Sequence, residues 1–194
     1  MNLGIEGRTA IVCGSSQGLG LACAQALAQE GVHVVLNGRD TDKLHRAASA
    51  LRETARGNVD AVAADVSTHD GRQRLLAAAP AADILVNNNG GPKPGDFIDH
   101  DEKVWMEAIE ANLIAPLMLT RALLPGMKER RFGRIINITS AMVTTPRPHM
   151  TLSAATRAGL TAAMKGLALD AARFNVTINN LLPERFDTDR QHQM

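Results

Sequence analysis

Tyrosine is absent from this sequence, tryptophan occurs once, phenylalanine four times and cysteine twice. Without tyrosine, no phenol is available anywhere in the chain as an acid or a base. Cys13 and Cys23 have no histidine or cysteine neighbours at metal-ligand spacing, and two thiols make no disulfide framework. No metal site is therefore expected, and reduced thiols in a cytoplasmic protein are. An excess of one charge is lacking too: 21 Lys and Arg against 20 Asp and Glu leave a net charge of +1, with no basic stripe for nucleic acid. No run approaches the roughly 18 unbroken apolar residues of a membrane helix. Residues 1–8 lack the basic segment and apolar run of a signal peptide. These absences exclude nucleic acid and membrane as expected partners and leave a small molecule and self-association.

What is present is 194 residues, 45% of them hydrophobic, enough for one sizeable core. No linker, repeat or low-complexity segment divides them, so residues 1–194 are expected to form a single domain. Apolar runs of strand length recur at 9–13, 32–36, 59–63, 84–86, 134–138 and 177–181. Between them, residues 19–30, 41–55, 70–79, 101–128 and 153–174 carry Ala, Leu and charged residues at helical spacing. This alternation predicts an α/β fold, a doubly wound Rossmann-type parallel sheet with right-handed crossovers and helices on both faces. In such folds ligands sit beyond the carboxyl ends of the strands, so loops starting near Gly14, Asn37, Asp65, Asn87, Ser140 and Pro183 are expected to share one rim.

Gly14-Ser15-Ser16-Gln17-Gly18-Leu19-Gly20 follows a predicted strand and opens a predicted helix, the context that makes such glycines informative. Gly14 permits the tight turn, Gly18 lets backbone approach phosphates, and Gly20 allows close helix packing. The helix start offers unpaired N–H donors and a positive dipole end to a pyrophosphate. At the end of the second strand a carboxylate would bind a ribose 2′-hydroxyl and repel a 2′-phosphate; here the residues are Asn37-Gly38-Arg39. Arg39 is placed to meet a 2′-phosphate with a planar fork. NADP(H) is thus the preferred cofactor, with NAD(H) left open because Arg39 also reads as a solvated residue at the start of a helix.

The spacing Gly-x-x-x-Gly-x-Gly resembles the short-chain dehydrogenase/reductase family, and further motifs follow in order over nearly the whole chain. The resemblance implies an adenine contact at Asp65-Val66. Asn87-Asn88-Asn89-Gly90 resembles the family's Asn-Asn-Ala-Gly turn, which makes Asn88 and Gly90 implied cofactor contacts and puts Asn89 where Ala stands. Asn112 falls where the family has a structural and proton-relay Asn, and Ser140 where its substrate-orienting Ser lies. Pro183 to Thr188 resembles Pro-Gly-x-x-x-Thr, which holds the nicotinamide carboxamide, with Glu184 replacing Gly. A homodimer or homotetramer is implied as well, with the small-residue helix bearing Ser153 at the contact.

The family's acid is a Tyr about a dozen residues after that Ser, with a Lys four residues on. Counting from Ser140 reaches Ser153 and then Arg157. An aliphatic hydroxyl is a far poorer acid than a phenol, and positioned proton transfer is worth roughly 10² to 10⁴ in rate. Arg157 can donate to ribose hydroxyls but stays charged and cannot shuttle a proton. His149, four residues before Ser153, is one other proton source, set against its reading as a loop histidine beside Pro146, Arg147 and Pro148. A water held by Ser140 and Asn112 is another. Lys93 could attract an acidic substrate, and Cys13 beside a helix N-terminus reads either as a reactive thiol or as inert core. Only 13 residues follow Leu181, so the family's substrate-covering segment and last strand are expected to be lacking. Two functions follow. One is an NADP(H)-dependent oxidoreductase acting on a ketone or secondary alcohol, the 3-oxoacyl type included. The other is a catalytically silent dinucleotide-binding protein serving as a sensor or structural subunit.

Overall fold

The computed structural model describes residues 2–188. Its strands are β1 (Thr9–Val12), β2 (His33–Gly38), β3 (Val59–Ala63), β4 (Ile84–Asn87), β5 (Gly133–Ile138) and β6 (Val176–Leu181). All pair in parallel, in the order β3-β2-β1-β4-β5-β6. Helices α1 (Gly18–Gln29), α2 (Thr41–Arg52), α3 (His69–Ala78), α4 (Glu102–Ile109), α5 (Ala115–Glu129) and α6 (Thr151–Ala171) form the crossovers. The predicted doubly wound fold is therefore the observed one, with ends that shift by a few residues: α6 begins at Thr151 rather than Ser153 because a 3₁₀ turn, Pro148–Met150, leads into it.

The central strands β1, β2 and β4 are mostly apolar because both their faces are covered. One face of β1 and β2, with Ala10, Val12, Val34 and Leu36, packs on Ala24 and Ala28 of α1 and Leu44 and Ala48 of α2. The alternate residues, Ile11, Val35, Leu85 and Ile135, pack on Leu75 of α3, Leu119 and Met127 of α5 and Met164 of α6. The expected helix over 101–128 is continuous over Glu102–Glu129 but contains one π-helical turn, Glu110–Ile114, between α4 and α5. That 28-residue run is long and apolar enough by composition to cross a membrane. Its Ala115, Leu119 and Met127 are fully buried in the core just described.

Polar residues inside the sheet pair with one another. Asn87, Asn137 and Asn180 stand in register on β4, β5 and β6, with Nδ2 to Oδ1 bonds of 2.8 and 3.0 Å from strand to strand. The strand order reverses between β1 and β4, so the loops leaving those two strands diverge to opposite sides and open a crevice. Among the described residues β6 is one edge of the sheet, and its last residue Leu181 and Phe186 beyond it are exposed.

Arg72 of α3 ties this rim to the π turn. It is buried, and its Nη1 donates to the carbonyls of Val66 and Ser67 and to the Glu110 carboxylate, each at 2.9 Å. Hydrogen bonds to charged groups are worth about 1.5–3 kcal/mol each. Arg72→Met, which keeps the packing volume, is expected to lower unfolding stability by about 1.5–3 kcal/mol in urea titration, the worth of a hydrogen bond to a charged group; a loss under about 0.5 kcal/mol, the range of ordinary surface changes, would show the bonds to be incidental.

Candidate functional site

The carboxyl ends of the strands border a cavity of about 690 Å³. At its centre Gly14 has φ +56°, a left-handed conformation, and a Cβ there would lie 2.1 Å from the Asn88 carbonyl oxygen. Asn88 Nδ2 returns a 3.1 Å hydrogen bond to the Gly14 carbonyl. Gly20, one turn into α1, does not line the cavity; it packs so close that its Cβ would meet the Gly14 oxygen at 2.3 Å. Gln17 precedes α1 in extended conformation without a side-chain cap, whereas Asp40, Thr68 and Asp101 cap α2, α3 and α4. The first-turn N–H groups of α1 are therefore uncapped where Gln17, Gly18 and Leu19 line the cavity. A glycine turn too tightly packed for side chains at Gly14 and Gly20, with uncapped helix donors at the cavity wall, fits a dinucleotide's pyrophosphate.

At the β2 end, the buried Ser15 hydroxyl donates to the Val12 carbonyl at 2.7 Å and accepts from Asn37 N–H at 2.9 Å, joining the exits of β1 and β2. Ser16, Gly38 and Arg39 line the cavity there, and a Cβ on Gly38 would touch Ser16 at 3.3 Å. Arg39 is largely exposed and lies 3.9 Å from the Asp65 carboxylate. Asp65 in turn accepts from the Ser67 N–H and hydroxyl at 3.0 and 2.7 Å, shaping the loop that brings Val66 to the wall. Sequence reasoning passed over Lys43, whose Nζ donates to Gln17 Oε1 at 2.8 Å. Its position four residues after Arg39 at the start of α2 was the available signal.

At the opposite end, Ser140 leaves β5 with its Oγ accepting from Met142 N–H at 3.1 Å, so its own proton remains to be donated. Ser153, in the first turns of α6, is buried to 5% exposure yet lines the cavity. Arg157 stands one turn further on. Its Nη1 donates to the carbonyls of Ile138 and Thr139 at 2.8 and 3.0 Å, and its Nη2 to that of Asn89 at 3.2 Å. Asn89 Nδ2 donates a short hydrogen bond to the Ala111 carbonyl in the π turn. Ala111 lines the cavity and Asn112 does not: Asn112 is buried behind the wall, with its Oδ1 unpartnered among the described residues.

Gly90 lines the cavity, as does Pro183, whose carbonyl accepts from Ala141 N–H at 2.9 Å. Thr188 packs within 3.7 Å of the Cβ position of Gly18, folding the last described segment back over the glycine turn. Glu184 pairs with Arg147 at 3.2 Å, joining that segment to the loop after β5. His149 also lines this end; Lys93 does not. Trp105 meets Phe97 edge-on, with centroids 6.2 Å apart, as a packing residue.

Cys13 behaves as core. It is fully buried, and burial pushes its thiol up to about 12, against the smaller opposite pull of a hydrogen bond with the Asn88 backbone. Burial also raises the half-buried Cys23. Because the thiolate is the nucleophile, native protein at pH 8 is expected to show no Cys13 labelling by a disulfide reagent over the time in which Cys23 reacts slowly. Peptide mapping checks this, and Cys13 labelling as fast as Cys23 would contradict it.

Residues 8–194 match the family described as short chain dehydrogenase. The chain is 35% identical over 184 residues to the uncharacterized oxidoreductase YvaG of Bacillus subtilis strain 168, covering 94% of this chain and 70% of that protein. Its fold is similar to that of L-sorbose reductase from Gluconobacter frateurii complexed with NADPH and L-sorbose, with a TM-score of 0.93 and 34% identity over 98% of this chain and 74% of that one. It is also similar to a 3-oxoacyl (acyl-carrier-protein) reductase from Agrobacterium tumefaciens C58 with NADP bound, with a TM-score of 0.90 and 32% identity over 97% and 74%. A parallel sheet reversing beside a glycine turn, with these matches along almost its full length, makes this chain a member of the short-chain dehydrogenase/reductase family.

Proposed function

We propose that the protein is an NADP(H)-dependent oxidoreductase that interconverts a ketone and a secondary alcohol, the 3-oxoacyl type among the candidates. The glycine cradle carries this reading: the Gly14 to Gly20 turn, with Ser16, Gln17 and Leu19, takes the pyrophosphate on the uncapped start of α1. Arg39 meets the 2′-phosphate, with Lys43 adding charge beside Gln17. Asp65 and Val66 border the adenine, Asn88 and Gly90 the adjoining ribose, and Pro183 and Thr188 the nicotinamide end. When bound, the reduced nicotinamide supplies a hydride.

Toward the substrate, the Ser140 hydroxyl donates to the carbonyl oxygen, the proton it holds being the one Met142 does not use. Ser153 fills the place of the acid without its chemistry. Arg157 sets the spacing of the β5 end and the Asn89 loop and keeps positive charge beside the ribose. Asn112 acts as a positioning residue through the π turn that presents Ala111. The second reading, a silent dinucleotide-binding sensor or structural subunit, is favoured by the alkanol at Ser153. Leu169 on α6, 80% exposed, and the exposed Met106 on α4 support a homo-oligomer.

Titration of NADPH and NADH fluorescence tests the cofactor. Wild type is expected to bind NADPH more tightly, and Arg39→Ala to weaken NADPH about 10- to 100-fold, the value of a charge-assisted hydrogen bond, while NADH changes less than about twofold. Equal weakening of both would remove the 2′-phosphate assignment. NADPH oxidation with a 1,2-diketone and an acetoacetyl thioester then separates the two readings. Substrate-dependent turnover by wild type excludes the silent one. Activity confined to Ser153→Tyr/Arg157→Lys establishes it.

A further inference from the structure

We propose that His149 is the proton donor of this tyrosine-less site, protonating the substrate oxygen during reduction and taking the proton back during oxidation; this rests on the oxidoreductase reading above. The side chains at this end of the cavity leave few alternatives. Ser140 and Ser153 are alkanols, far too weak as acids to meet a catalytic pKa near neutrality. Arg147, Arg157 and Arg185 carry guanidiniums that do not release a proton. The Glu184 carboxylate is held by Arg147 at 3.2 Å. Among the described residues lining the cavity, His149 is the one imidazole, the side chain whose ordinary titration spans neutral pH.

The backbone that carries it is pinned. Pro148 opens the 3₁₀ turn, Met150 N–H donates to the Arg147 carbonyl at 2.9 Å, and the His149 carbonyl accepts from Gly95 N–H at 3.0 Å. His149 thus sits at the junction with α6, four residues before Ser153, and both residues line the cavity. It is also exposed, which gives solvent access for reprotonation.

As the carbonyl carbon accepts a hydride with its electron pair, the π pair moves to oxygen. The imidazolium N–H bond breaks as the new O–H bond forms, and neutral imidazole remains for solvent to reprotonate. The Ser140 hydroxyl holds the same oxygen by its hydrogen bond and transfers no proton. The charged groups about His149 are Arg147 and the Glu184 it holds, Arg185, and Arg157 behind Ser153. The loop against which it is pinned carries Lys93, Asp96, Asp99 and His100, the last packed on Gly95.

The test uses the full chain as wild type, His149→Gln and His149→Ala, with NADPH and an acetoacetyl thioester or 1,2-diketone. His149→Gln is expected to lower kcat about 100-fold or more, the low end of general-acid catalysis, with the NADPH Kd within about twofold. The pH profiles of kcat/KM for wild type and the Gln variant differ in shape, because the group that exchanges the proton is missing from the variant. Added imidazole restores part of the turnover of His149→Ala. Independently of turnover, the His149 Cε1–H resonance, assigned by its absence from His149→Gln, moves when the secondary alcohol joins the NADP⁺ form. A Gln variant with wild-type kcat and pH profile overturns this proposal alone, as does an unmoved resonance under saturating alcohol. A wild type that binds NADPH and turns over no substrate overturns the oxidoreductase reading and this inference with it.

Discussion

The turn after β1 approaches the turn after β4 so closely that no side chain fits between them: a Cβ on Gly14 would lie 2.1 Å from the Asn88 carbonyl oxygen. The approach is held from both sides, by the Asn88 side chain on the Gly14 carbonyl and by the Cys13 N–H on the Val86 carbonyl at 2.9 Å. It falls at the one place in the sheet where strand order reverses, so the two loops that meet there lead into crossovers on opposite faces. Gly20 extends the same constraint into α1, whose first turn can sit against the Gly14 carbonyl only without a Cβ. The position of the uncapped helix start, and with it the phosphate end of the cavity, follows from this backbone packing, which the Asn88 amide secures.

The reaction end is organised by a charge. The Arg157 guanidinium, buried to 9% exposure, bonds two carbonyls at the end of β5 and one in the loop after β4. Such a planar fork holds several fixed acceptors at once, which a compact ammonium on a flexible stem does less well. Asn89 is a direct partner in this arrangement: its carbonyl receives Arg157 and its side-chain amide reaches the Ala111 carbonyl in the π turn. Arg157 and Asn89, which stand where the motif resemblance expects Lys and Ala, are hydrogen-bonded to each other. Two of the sequence's oddities are therefore one structural feature, linking α6 through the β4 loop to the π turn between α4 and α5.

The alternation of apolar strands with helical segments made the doubly wound sheet legible from sequence, because burial on both faces leaves a strand with little choice of residue. The rim was legible for the same reason, since strand ends determine where loops begin. The π turn was not: one extra residue in a helical turn leaves hydrophobic spacing almost unchanged, and Asn112 consequently reads as a cavity residue when Ala111 is the one that lines it. Nor was the inward turn of Arg157 visible, because its acceptors are main-chain carbonyls that no sequence motif marks. Lys43 escaped because its bond to Gln17 joins residues 26 apart across the start of two helices. The row of Asn87, Asn137 and Asn180 was not visible either, because only strand register places them side by side.

Glu184, which stands where the motif resemblance expects Gly, illustrates how little of the rim's stability comes from its charges. The Arg147–Glu184 pair has side chains 42% and 61% exposed, and exposed pairs of this kind contribute about 0–1 kcal/mol. The same two loops are joined more firmly by backbone bonds from Ala141 N–H to the Pro183 carbonyl and from Thr139 N–H to the Leu181 carbonyl, at 2.9 and 2.8 Å, with the Thr139 hydroxyl adding a third bond to Leu181 at 3.0 Å. The ion pair can therefore open without releasing the segment that carries Pro183. What Glu184 and Arg147 set is the local field at this end of the cavity: one carboxylate and a cluster of guanidiniums around a site whose hydroxyls are all alkanols. In that setting the groups that orient a substrate and the group that exchanges a proton with it must be different residues, because no single side chain on the wall combines the reach and the acidity of a phenol.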